Sequence, residues 1–84
     1  MKPLFLTQHA RDAVAERLID PAWIDDSTVR APDWVVSDPR KPDVERRFRA
    51  IAAYGNRVLR VACYETALEI RILTVFFDRD ARRP

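Results

Sequence analysis

The stretch from Arg46 to Phe77 constrains this fold more than any other part of the chain. It alternates apolar and polar residues as β-strands do, and Tyr54-Gly55-Asn56-Arg57 breaks it with the sequence's only glycine, where a two-residue hairpin turn needs positive φ. A second turn falls at Glu65-Thr66-Ala67-Leu68. With two central residues in each turn, Phe48, Ala50 and Ala52 lie opposite Cys63, Val61 and Leu59, which lie opposite Ile70, Ile72 and Thr74, all on one face. The other face receives Arg47, Arg49, Arg60, Arg71, Tyr64 and Glu69, with Ile51, Ala53, Val58, Leu73 and Val75 toward one end. One register thus separates most apolar side chains from four arginines.

Upstream, Leu4-Phe5-Leu6 is a short apolar entry and Thr7 an N-cap for a helix over about 8–18, whose stripe is Ala10, Ala13, Val14 and Leu18. Asp20 and Pro21 begin a second helix over about 21–30, with Trp23 and Ile24 inward. Trp34-Val35-Val36 predicts a strand over about 33–37. Pro39 and Pro42 make the following segment a loop, and the remaining strands fall at about 46–54, 57–65 and 68–77, with a polar tail over 78–84. The expected architecture is α+β: a single domain over 1–84, two N-terminal helices packed on one face of a four-stranded antiparallel meander.

At 84 residues such a chain buries only about 60% of its unfolded surface. Its 48% hydrophobic and 33% charged residues suit a globular domain. No run approaches the roughly 18 apolar residues of a membrane span, and the first residues do not resemble a signal peptide, so the expectation is a cytoplasmic protein with no membrane partner. The net charge of +2 divides unevenly: residues 1–44 hold six Lys/Arg against eight Asp/Glu, and residues 45–84 nine against five. That favours a polyanion for the second half, although arginines also keep an exposed sheet wet.

One histidine and one cysteine do not build the usual zinc site, one glycine gives no phosphate-cradling loop, and Ser27 and Ser37 stand in no nucleophile motif, so neither metal nor cofactor is expected. Cys63 reads as a core residue. The arginine face remains. Arg47, Arg49, Arg60 and Arg71, on strands about 4.8 Å apart, suit phosphate, and Tyr64 suits a base. Cleavage at an RNA 2′-hydroxyl needs donors for phosphorane charge and a group that moves a proton, for which His9, Glu45, Glu69 and Tyr64 are the candidates.

His9-Ala10, then Arg17, Ile19 and Asp20, then Pro32-Asp33, a basic strand, a glycine turn, Leu59-Arg60-Val61 and Ile72-Leu73-Thr74-Val75 follow one another in an order that resembles the bacterial family called domain of unknown function 4258, over about residues 5–77. That family is similar in layout to the RelE and BrnT toxins, ribonucleases of toxin–antitoxin pairs. The resemblance implies a RelE-like fold, RNA as substrate and an antitoxin-like protein as partner. Two functions follow. One is a metal-independent endoribonuclease in which His9, Glu45, Arg60 and Arg71 are catalytic and Arg47, Arg49 and Tyr64 bind RNA. The other is a non-catalytic interaction domain whose sheet face or edge strand binds a protein or forms a homodimer.

Overall fold

A computed structural model describes residues 2–84, apart from the side chains of residues 26 and 27. The strands are β1 (Leu4–Leu6), β2 (Trp34–Ser37), β3 (Glu45–Ile51), β4 (Arg57–Glu65) and β5 (Ile70–Phe77), and they form one sheet in the order β1-β5-β4-β3-β2. The β1–β5 pair is parallel and the other pairs antiparallel. One α-helix, α1 (Gln8–Glu16), and a π-helical segment, Trp23–Val29, cover one face of this sheet. The expected pair of helices on a four-stranded antiparallel meander is therefore corrected to one α-helix, a π-helical segment and a five-stranded mixed sheet.

Three local causes produce the difference. First, the apolar entry is itself a strand: the Ile70 amide donates to the Pro3 carbonyl at 3.0 Å and the Thr7 amide to that of Ile72 at 3.1 Å, which seats Leu4 and Leu6 against the core. Second, the expected second helix is underwound into wider, π-helical turns. The Arg30 amide reaches back five residues to the Asp25 carbonyl at 3.2 Å, and the Thr28 hydroxyl donates to the Trp23 carbonyl at 2.8 Å. Five-residue spacing brings Ile24 and Val29, each 2% exposed, onto the sheet side together, with the satisfied Thr28 beside them.

The third cause sets the faces of the sheet. The β3–β4 connection holds five residues rather than two, because Ile51 pairs with Arg57 and Ala52–Tyr54 winds into a 3₁₀ turn before Gly55 (φ 64°) and Asn56 (φ 59°) reverse the chain. Arg60 therefore faces Phe48, and Val61 faces Arg47. The shift from the expected register is odd, so β3 is turned over. A β-bulge at Ala62/Cys63 then pairs Val61 with Val75 and Cys63 with Ile72. The gain is apolar: Ile51 and Val75, left on the uncovered face by the expected register, are 4% and 1% exposed. Such burial is worth about 1.5–3 kcal/mol for each side chain.

The cost is that Arg47 and Arg49 turn toward the helical layer, and the fold satisfies both there. Arg47 Nη1 donates to the Val29 carbonyl at 2.8 Å, and Arg49 Nη1 donates to the Ala31 carbonyl. These oxygens lie at the end of the π-helical segment, where no intrahelical donor remains. Arg47 Nη2 also meets Glu45 at 2.8 Å and Glu65 at 3.3 Å. Burial pulls against its charge, but the bonds to Glu45 and Glu65 outweigh that and hold the guanidinium protonated.

Candidate nucleic-acid interface

The face of the sheet away from the helices carries side chains in cross-strand rows. In one row Trp34, Phe48, Arg60 and Phe76 stand opposite one another on β2, β3, β4 and β5. The Trp34 and Phe48 rings stack with centroids 4.9 Å apart and planes 6° from parallel. The Arg60 guanidinium follows, 6.0 Å from the Phe48 centroid and 5.0 Å from that of Phe76. Rings and cation meet across the row because neighbouring strands are about 4.8 Å apart, close to the distances such contacts prefer.

Segment 78–83 crosses this end of the sheet. Its first amide, that of Asp78, bonds the Val58 carbonyl at 2.9 Å, and its Arg83 donates to the Asp33 carbonyl at 2.7 Å with its guanidinium 6.0 Å from the Trp34 ring. Asp78 meets Arg60 Nη1 at 3.3 Å, while Arg60 Nε is buried with no hydrogen-bond partner. A donor out of water and unpaired is costly, and an acceptor that reached it would recover that cost.

The next row holds Val36, Arg46, Ala62 and Thr74. The small Ala62 and the bulge at Leu73 leave a depression of about 250 Å³, rimmed by Arg40, Lys41 and Arg46. The rim is held by Asp38, whose Oδ1 accepts the amides of Arg40 at 2.9 Å and Lys41 at 3.1 Å and whose Oδ2 meets Arg46 at 3.3 Å. The Arg40 amide is the main influence keeping the Asp38 carboxyl below its ordinary range. Among the described residues Arg40 and Lys41 form no ion pair.

Toward the other end, Tyr64 pairs with Arg71, and Phe5 stands opposite Arg71 on β1. Arg71 bonds Glu69 at 2.6 Å and lies 4.8 Å from the Phe5 ring centroid. Glu69, with Tyr64 also alongside, strengthens its hold on the proton.

Of the residues singled out from sequence, Arg60, Arg71 and Tyr64 share this face. Arg47, Arg49 and Glu45 lie on the helix side, and His9 is an exposed residue in the first turn of α1. The expected convergence of four arginines is thus corrected to Arg46, Arg60 and Arg71, with Trp34, Phe48 and Phe76 added. The parity of Arg46 and Phe48 with Arg60 would have been readable had the connection been counted as five residues. The aromatic alternation Trp34, Phe48, Phe76 was the overlooked signal.

Among the described residues no three His, Cys, Asp or Glu side chains gather as metal ligands would, and no helix is long and apolar enough to cross a membrane. The face carries half-buried Trp34 and Phe76 rings, planar cations and two cations at its rim that form no ion pair among the described residues, a chemistry that suits base stacking and phosphate contact. Comparison with protein-family models, curated proteins and solved structures returns no match.

Proposed function

We propose that this chain is a toxin-type RNA-binding protein that lays a single strand across its open sheet face. The observation that carries the reading is the row Trp34–Phe48–Arg60–Phe76 on the face away from the helices, in which Phe48, only 6% exposed, backs the half-buried Trp34 ring and Arg60 lies between Phe48 and the half-buried Phe76. Unpaired bases stack on such rings without regard to sequence, and arginine adds cation–π contact and phosphate bonds. The resemblance of the motif order to the toxin-related family suggests the toxin part of the proposal. Arg40, Lys41 and Arg46 take backbone phosphates. Arg60 and Arg71 are the donors nearest a strand so placed, and Tyr64 and Glu69, both beside Arg71, are the groups on this face that could exchange a proton with a 2′-hydroxyl, of which Tyr64 is taken first.

Fluorescence anisotropy with a labelled single-stranded RNA at graded salt tests it. The expected slope of log K against log salt is about −2, from three phosphate contacts at roughly 0.7 each. Trp34→Ala is expected to weaken binding by about 1–3 kcal/mol. Arg40→Ala with Lys41→Ala should flatten the slope by about 1.4. Binding unaffected by all three changes, or absent at low salt, overturns the reading. RNA incubated in chelator and analysed on a gel then tests cleavage separately, with Tyr64→Phe expected to retain binding and lose cleavage.

A further inference from the structure

On the helix side, beside the β3–β4 connection, a second pocket of about 300 Å³ is lined by Arg17, Tyr54, Arg57, Phe77 and Arg79. Three distant stretches of chain supply its cations: the C-cap of α1, the first residue of β4 and the segment after β5. No carboxylate lines it, and among the described residues none of the three arginines forms an ion pair. The contrast with the open face is direct, since Arg46, Arg60 and Arg71 there each carry a carboxylate.

A platform of rings holds the central cation in place. Trp23, Tyr54 and Phe77 pack with centroids 5.3, 5.0 and 6.1 Å apart, and the Arg57 guanidinium lies 5.1 Å from the Tyr54 centroid and 5.4 Å from that of Phe77. The aromatic surface is thereby spent on fixing the arginine, not on offering a face to a base. What is left open is positive charge in planar forks, the geometry that takes phosphate oxygens two at a time. Its size is at the lower limit for small-molecule pockets, which suits a single phosphate group and the sugar next to it.

We propose that the pocket formed by Arg17, Arg57 and Arg79 binds a phosphate monoester in its dianionic form. Three unneutralised guanidinium groups match a dianion better than the single charge of a phosphodiester. The monoester can come from a free nucleotide or from the phosphorylated end of an RNA strand. The proposal does not rest on RNA binding by the open face, because the two sites lie on opposite sides of the sheet.

Calorimetry and amide chemical shifts of the whole chain titrated with inorganic phosphate test it, with chloride matching the ionic strength. The expected result is saturable binding that shifts the amides around Arg17, Arg57 and Arg79. With a nucleoside 5′-monophosphate as probe, whose second phosphate proton leaves near pH 6, affinity should rise about tenfold between pH 5 and pH 7. Arg17→Ala and Arg79→Ala, both at exposed positions, should each weaken binding about tenfold, while Arg11→Ala on the same helix leaves it unchanged. Circular dichroism of the variants verifies the fold. A nucleoside 5′-monophosphate is then compared with 5′-phosphorylated and 5′-hydroxyl RNA: tighter binding of the phosphorylated strand than of either other probe assigns the source to RNA ends, and equal affinity for the nucleotide and the phosphorylated strand assigns it to a free nucleotide. No saturable binding, affinity that is flat with pH, or full affinity in both alanine variants overturns the proposal. RNA binding that persists through Trp34 and Lys41 after such a failure would leave the open-face reading intact.

Discussion

Cys63 is 0% exposed on β4, between the helical layer and the sheet, with Glu45 opposite and Arg47 near. Burial pushes its thiol up to about 11 from the ordinary 9.0, against the pull of the Arg47 charge. A thiol that resists ionisation in the folded chain and ionises more easily in the unfolded one stabilises the fold below the unfolded value. That contribution is lost as pH climbs through the window from 9.0 to about 11. Two outcomes follow for this residue. A disulfide reagent at pH 8 should label the native chain roughly a hundredfold more slowly than the denatured chain, since reaction waits for opening. The alkaline limb of a stability–pH curve should flatten in Cys63→Ala; equal labelling rates in the two states would contradict the picture.

Among the elements, the end of α1 shows how a fold accepts local strain. The Ile19 amide bonds the Val14 carbonyl at 3.0 Å and the Leu18 amide that of Ala15 at 3.4 Å, a Schellman ending whose left-handed position is occupied by Leu18 at φ 52°. Leu18 is 85% exposed, so the side chain gains little there, whereas Ile19 is delivered into the core at 3%. Leu18→Gly should raise the urea midpoint by an amount worth about 1 kcal/mol. On β3, Arg47→Ala strips the Val29 carbonyl and two carboxylates of a donor and should cost about 2 kcal/mol, which Arg47→Lys restores only in part because lysine lacks the fork. These elements also show what the sequence discloses. Thr7 as a cap is plain, and its hydroxyl does accept the Ala10 amide at 3.2 Å. The glycine turn was legible as a turn but not in its length, because the choice between two and five residues is decided by where Ile51 and Tyr54 pack, on partners remote in sequence. That one choice moved Arg47 and Arg49 off the open face. The π winding was equally hidden: it depends on the Thr28 hydroxyl meeting the Trp23 carbonyl and on the depth of the sheet beneath.

Across the whole molecule, charged side chains tie together segments that lie far apart in sequence. Glu65, the last residue of β4, meets Lys2 at 2.7 Å ahead of β1 and Arg47 at 3.3 Å on β3. The Lys2 bond first, then that to Arg47, lowers the Glu65 carboxyl from its ordinary 4.5. A carboxyl more acidic when folded stabilises above the unfolded value, and that contribution drains away as pH falls below 4.5 toward the folded value. Glu65→Gln should therefore unfold at a less acid-sensitive midpoint, followed by circular dichroism between pH 5 and 2; an unchanged acid limb would remove Glu65 from the account. The same region holds the parallel pairing of β1 with β5, in which the Thr7 hydroxyl donates to the Leu73 carbonyl 66 residues on. During synthesis on a ribosome, Leu4–Leu6 emerges long before its partner strand exists. It must wait, apolar and unpaired, until β5 has been made, so the sheet cannot close from its beginning and a nascent chain should gain protease resistance only once Phe77 has cleared the exit tunnel.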